Sequence, residues 1–454
     1  MESRSSLPGI PGKLTPLKKI IIASLAIGIT AAAGILYARQ SIQYRFGLAV
    51  IILVVSILVS VFLLLLITLL LYDRHRHLLG KIWLVVMSLS VTYLIVDLAS
   101  GYFLIPAHSP RNMPDRYVHH KLIPNTTLAF VTSEYNYIAR INNLALRGRH
   151  IELKKPASLY RIVMLGDSFT MGKGVEDDKT FSVVLEKELN EKCTKINNQS
   201  VEVVNAGVVS YSPILSYFQL TKYLSPLEPD LVVLNLDMSD LIQEMVYKKI
   251  ATYGVDGDII GVDGCNEEKQ FIARVIRWIN RNLYVTRLVL LNVNKFSKAI
   301  NIENVVTMAS PELLRHTLVE DRRQRKEQWQ NLFDSIVKIK NYCNENGIDF
   351  LLTIYPWGHQ VSKNEWRHGR LAFMSADAVV SDKSVHVINE FSNNNGIDLL
   401  NVFPAFRSYA GKSPLYYDHD MHWTQMGHRL MAAELKRYML SKYLHSRMRA
   451  IPVN

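Results

Sequence analysis

Three long apolar stretches open the chain, and short apolar runs alternating with amphipathic segments fill most of the rest. The first stretch runs from Ile20 to Ala38, the second from Phe46 to Tyr72 without a charge, and the third from Ile82 to Ile105 with one acid, Asp97. A bilayer core takes about 20 apolar residues, so each predicts a transmembrane helix. A cleavable signal peptide would account only for the first, and no small-residue cleavage site precedes Arg39. Asp97 is expected either to pair with a polar group on a neighbouring helix or to act as an intramembrane acid.

Beyond residue 155 the pattern changes. Arg161–Leu165, Val201–Asn205, Leu231–Leu236, Asp349–Tyr355 and Asp398–Val402 are near-continuous apolar runs that predict buried strands. Helices are predicted over Phe181–Asn190, Ile214–Leu224, Glu312–Glu345, Ser375–Asn393 and Gln425–Tyr443. Alternating strands and helices of this kind imply a parallel sheet covered on both faces. Residues 106–155, punctuated by Pro106, Pro110, Pro114 and Pro124, predict an irregular connector with short extended pieces. Residues 241–311 interrupt the alternation and are expected to be an insertion near the substrate entrance. Its Gly/Asp-rich piece, GVDGDIIGVDGC, lacks the closing acid of a calcium loop and predicts a turn-rich hairpin. The domain expectation is therefore an anchor at 1–105, a connector at 106–155, and an α/β domain at 156–445.

Charge bears on topology more than on partners. The chain carries a net charge of +12, and its first 105 residues hold nine Lys/Arg against three Asp/Glu. Arg4, Lys13, Lys18 and Lys19 flank the first span, and Arg74, Arg76 and Lys81 lie between the second and third. The positive-inside rule puts both flanks in the cytoplasm and everything after the third span outside. A multi-pass protein of the bacterial inner membrane with an extracytoplasmic domain is expected. No basic run is interleaved with aromatics, so no nucleic-acid partner is expected. Cys193, Cys265 and Cys343 have no metal-ligand spacing; one disulfide or three unpaired thiols both fit.

The candidate chemistry lies in two motifs. Leu165-Gly166-Asp167-Ser168-Phe169 ends a buried strand in a small polar turn, where an open parallel sheet exposes ligands. A serine there is a candidate nucleophile, and its own N–H a candidate oxyanion donor. Serine needs a base, and Asp418-His419-Asp420-Met421-His422-Trp423 before the closing helix supplies one. His422 would take the Ser168 proton, with Asp420 fixing its tautomer. His419 and His428 are expected to be structural. Gly207 after the second strand and Ser239 after the third are the remaining oxyanion donors expected. Trp357 and His359, after the fourth strand, and Tyr416 and Tyr417, before the acid–base loop, are candidates to line the substrate cleft. Three histidines and two acids over residues 418–428 also suggest a metal site, but no separate cluster completes one, so no metal and no cofactor are expected.

These residues resemble the SGNH (GDSL-type) hydrolase superfamily, whose blocks supply Ser, Gly, Asn and His. Gly166-Asp167-Ser168 matches the first block and Gly207 the second; Ser239 stands where the family usually has Asn. The Asp420-x-His422-Trp423 spacing resembles the branch of alginate-type O-acetyltransferases. The resemblance implies a flavodoxin-like three-layer fold and ester chemistry through an acyl-enzyme, acting on an acylated envelope glycan or a small acyl ester beside polysaccharide machinery. A non-catalytic glycan-binding or assembly subunit retaining the fold is the alternative expectation.

Overall fold

The computed structural model describes residues 77–78, 80–81, 83–100, 112–197, 200–265, 283, 285–286, 311–323 and 325–444. The chain divides into two compact units, Met1–His108 with Glu267–Val305, and Ser109–Asn266 with Val306–Asn454. The spans expected at 20–38 and 46–72 lie outside the described residues, as does the side chain of Cys193. Of the other cysteines, Cys343 is a buried free thiol, pushed up to about 12 by that burial, and Cys265 is a half-buried one.

In the first unit, helix α1, Trp83–Ser100, is long and apolar enough to cross a membrane, with a mean hydropathy of 1.7. Leu84, Leu89 and Ile95 on it are exposed. Asp97 is fully buried, and its carboxylate accepts from Val285 N at 2.6 Å and from the Thr286 amide and hydroxyl. The acid is thus paired with the polar groups of another segment, which is the structural alternative of the two expected for it.

The second unit begins with strands β1, Asn112–Pro114, and β2, His120–Leu122, paired antiparallel. A longer hairpin follows, β3 Thr126–Val131 with β4 Asn136–Ile141. Leu128 and Phe130 on one strand and Tyr137, Ala139 and Ile141 on the other are buried, and their neighbours are exposed. The stretch expected to be a connector with short extended pieces thus carries two antiparallel strand pairs, the longer one half-buried on a core that also takes in Met171, Val208 and Tyr211.

The central sheet holds β5 Leu159–Leu165, β6 Ser200–Asn205, β7 Leu231–Leu236, β10 Asp349–Ile354 and β11 Asp398–Asn401; the short hairpin of β8 Thr252–Tyr253 and β9 Ile259–Gly261 stands apart. All neighbours run parallel, in the order β11-β10-β7-β5-β6. Every residue of β7 is buried, as a strand covered on both faces requires. One helix group is α3, Phe181–Asn197, packed against α10, Gln425–Met439; in the other, α4, Pro213–Gln219, and α5, Asp240–Lys249, pack on α6, Lys326–Glu345; the short helices α7, Gly358–Val361, and α9, Phe403–Arg407, follow β10 and β11. β5 lies between β6 and β7, so the chain leaves it first to one side and later to the other. Such a switch point opens a crevice at the carboxyl ends of the strands.

Two predicted helices begin late. α6 starts at Lys326 rather than Glu312, and α8, Lys383–Asn394, starts eight residues after Ser375. The reason is shared: Leu318 and Val380 form an isolated antiparallel bridge, flanked by Val319 N on Val379 O at 2.9 Å and Ser381 N on Thr317 O at 2.7 Å. Each segment places its amides in the other before its helix begins.

Candidate active site

The strand β5 ends at Leu165, and Gly166 turns the chain with φ 148°, in the region that favours glycine. A Cβ on Gly166 would lie 2.3 Å from Thr170 Oγ1. Asp167 then caps α2, Ser168–Met171, by accepting from Phe169 N at 2.8 Å. Ser168 thus begins a one-turn helix, where its N–H belongs to the orphan donors of the first turn.

The acid–base loop arrives from the other end of the chain. Tyr416 and Trp423 form an isolated antiparallel bridge, and Thr424 caps α10. Between them, His422 Nε2 lies 2.7 Å from Ser168 Oγ, across 254 residues of sequence. His422 Nδ1 is hydrogen-bonded to Asp420 Oδ1, which also accepts the His422 amide at 3.1 Å. A neutral imidazole in this setting donates from Nδ1 and accepts from the serine at Nε2.

Electrostatics fit that assignment. Burial lowers His422 below its ordinary value of 6.5, against the raising influence of Asp420, so the ring is neutral near pH 7. Burial would raise Asp420, but His422, Lys173 and Tyr135 outweigh it and hold the carboxyl far below the usual range. Lys173 Nζ lies 3.3 Å from Asp420 Oδ2, and the Tyr135 hydroxyl donates to the same oxygen at 2.6 Å.

The β3–β4 turn grips this loop further. Glu134 Oε1 accepts from Asp418 N at 2.8 Å and His419 N at 2.9 Å, and Oε2 accepts from Asp420 N at 2.7 Å. Glu365 secures the entry, accepting from Leu415 N and Tyr416 N. Glu134, Tyr135 and Lys173 escaped the sequence reading. The hairpin that brings the first two was legible as alternation in Leu128, Phe130, Tyr137, Ala139 and Ile141, but prolines drew the stretch toward a connector.

The expected oxyanion donors are arranged differently. Gly207 sits at the sheet edge, so close that a Cβ would meet Met171 N at 2.2 Å, but its amide donates to Asn205 Oδ1 at 3.1 Å. Ser239 donates both its amide and its hydroxyl to Asp237 Oδ1 at 2.6 Å, and its oxygen accepts from Gln243 Nε2 at 2.9 Å. Asp237 in turn is paired with Asp167. Burial raises both carboxyls above the usual carboxylate range, and for Asp167 the Asp237 charge adds to the effect.

The expected cleft residues divide. Trp357 is buried, donates from Nε1 to Asp237 Oδ2 at 3.0 Å and packs on Phe169 and Trp366. His359 is buried with Nε2 on Thr317 Oγ1 at 2.9 Å. Neither presents a face to substrate, because the loop after β10 turns inward to satisfy buried acceptors. Tyr416 is buried against Pro356 O, whereas Tyr417 is half-buried, with its hydroxyl on Gly174 O at 2.6 Å and its ring 5.0 Å from that of Tyr135. His428 is buried with its ring stacked on Phe181, and His419 is exposed.

Residues 313–450 match the family described as the SGNH hydrolase-like domain of acetyltransferase AlgX. That segment contains Asp420 and His422 but not Ser168. No curated protein matches the chain. Similar solved structures include the acetyl xylan esterase AlAXEase, at 12% identity over 61% of this chain and 98% of that one, with a TM-score of 0.34. The lipase/acylhydrolase from Enterococcus faecalis is 14% identical over 62% and 96%, also with a TM-score of 0.34. An acetylxylan esterase from Geobacillus stearothermophilus is 10% identical over 61% and 93%, with a TM-score of 0.33. The second unit thus has an α/β fold on a five-stranded parallel sheet, and its residues 313–450 are similar to an SGNH hydrolase-like domain.

Proposed function

We propose that the protein is a membrane-anchored serine esterase or O-acyltransferase that moves small acyl groups, acetyl above all, on an envelope glycan. One observation carries the reading: Ser168 Oγ, His422 Nε2 and Asp420 form a continuous hydrogen-bonded line, with 2.7 Å between serine and imidazole. That separation lies within the reach a base needs to activate a hydroxyl. In the proposed reaction Ser168 Oγ attacks the ester carbonyl while His422 takes its proton. The leaving alkoxide receives that proton and departs, leaving an acyl group on Ser168. Water or a sugar hydroxyl then gives its proton to His422 as it attacks the acyl carbon, and the Ser168 oxygen leaves by taking that proton back. Asp420 stays ionised throughout and steadies the imidazolium. The Ser168 amide is the proposed first oxyanion donor. The similarity of residues 313–450 to an acetyltransferase domain favours acetyl as the group moved.

The apolar, exposed length of α1 supports anchoring, and the basic flanks of the expected spans support an outward-facing catalytic unit at a bacterial inner membrane. A second reading, a glycan-binding or assembly subunit without turnover, draws on the Gly207 and Ser239 donors, which are both engaged within the protein. The experiment that separates them is turnover of an acetyl ester by the wild type and by Ser168→Ala, with and without an acceptor sugar, beside labelling with an organophosphonate. Labelling and turnover that both vanish in Ser168→Ala support the enzyme. A wild type that neither labels nor turns over sinks it.

A further inference from the structure

We infer that His368, Asp418 and His419 form a binding site for a divalent transition-metal ion of zinc type, which ties the acid–base loop to the segment around Trp366–Gly369. One ligand atom from each of the three lies within 4.8 Å of the others. The two imidazoles are stacked, with centroids 5.0 Å apart and planes 13° from parallel, and the carboxylate lies beside them, with His368 Nδ1 2.6 Å from Asp418 Oδ2. Donors bound to one zinc ion sit about 3.4 Å apart, from metal–ligand bonds of roughly 2.0–2.2 Å in tetrahedral geometry. Rotation of exposed side chains covers the difference.

The backbone under these side chains is fixed. His368 N and Gly369 N both donate to Asp418 O, at 3.0 and 2.9 Å. Trp366 Nε1 donates to His419 O at 3.2 Å, and the amides of Asp418 and His419 are held by Glu134. The two segments approach so closely that a Cβ on Gly369 would lie 2.0 Å from His419 O. Preorganised donors lower the cost of assembling a site. Two imidazole nitrogens and one carboxylate oxygen suit zinc and its transition-metal neighbours, while calcium and magnesium require oxygen-rich sets. Arg367, which contacts Asp418 Oδ2 at 3.2 Å from an exposed position, is the group an ion would displace. Three protein ligands leave a coordination position for water or a substrate oxygen.

The test is calorimetric titration of the detergent-solubilised full chain, stripped with EDTA, with ZnCl2, and separately with CaCl2 and MgCl2. One zinc ion per chain is expected, bound more tightly than either alkaline-earth ion. His368→Ala and His419→Ala are each expected to weaken it at least about tenfold, since even outer-shell changes at metal sites cost 10–100-fold. Zinc is also expected to raise the unfolding temperature of the wild type and of neither variant. Both side chains are exposed, so the variants are expected to unfold in EDTA at the wild-type temperature; His368→Asn and Asp418→Asn serve as the second pair if they do not. Absence of zinc binding, equal affinity in wild type and both variants, or calcium bound as tightly as zinc overturns the assignment.

Discussion

The hydroxyl of Tyr135 donates to Asp420 Oδ2 at 2.6 Å, on the carboxylate oxygen opposite the one that holds His422. Asp420 is therefore fixed from both sides, and the outer side comes from a hairpin at the start of the second unit. Tyr135→Phe removes a hydrogen bond to a charged group, worth about 1.5–3 kcal/mol. A fall of roughly tenfold in kcat/KM for an acetyl ester is expected, mostly in kcat. A variant with wild-type kcat would show that Lys173 alone suffices to hold Asp420.

Glu134 is expected to matter through geometry. Its carboxylate accepts three successive loop amides, Asp418, His419 and Asp420. Glu134→Ala leaves those donors to water and frees the loop. We expect kcat to drop by about 10–100-fold with KM little changed, matching the loss of charge-assisted bonds of about 1.5–3 kcal/mol. Steady-state kinetics of the variant test this, and a loss confined to KM would assign Glu134 to substrate binding instead.

Gly207 is a packing requirement. A methyl there would lie 2.2 Å from Met171 N, at the end of the turn that Ser168 begins. Gly207→Ala must push that turn aside, at a typical overpacking cost of about 1–3 kcal/mol. Lower thermal stability and loss of phosphonate labelling at Ser168 are expected together. Retained labelling at wild-type stability would mean that the turn yields without moving the serine.

Buried histidines are expected to make the fold acid-sensitive. His428 is lowered to about 3 by burial, with Arg147 and His422 adding to the effect. Its folded pKa lies below its unfolded value of 6.5, so the unfolded chain binds the extra proton between those values. Stability from this group is complete above 6.5 and is lost as the pH falls toward 3. The loss amounts to about 1.4 kcal/mol per pH unit. Chemical unfolding of His428→Gln between roughly pH 6 and 4 is expected to show a pH slope smaller by about that amount. An unchanged slope would place the proton uptake elsewhere.

The sheet and the two ends of the triad could be read from residues alone because their signals are local. β5, β7 and β10 are near-continuous apolar runs, and Gly166-Asp167-Ser168 follows one of them directly. The triad support was not local. Tyr135 meets Asp420 across 285 residues, and nothing within the Thr132–Tyr135 turn announces an acid at the other end of the chain. The helices predicted from Glu312 and Ser375 were too long because the Leu318–Val380 bridge competes with helix formation, a contest that helical periodicity does not register. Trp357 failed as a cleft residue because the buried Asp237 carboxylate captures its indole N–H. Which acceptor claims a polar tip depends on the whole fold.

The strand order has a consequence for how the protein can be divided. β10 and β11 make one edge of the sheet, and β5 and β6 make the other, with β7 as the seam. Residues 313–450 therefore carry an edge together with Asp420 and His422, while Ser168 comes from the opposite piece. Neither piece alone holds the whole Ser168–His422–Asp420 line. Two separately produced fragments, broken in the stretch after β9, should each be inert and should regain turnover only when the seam closes between them.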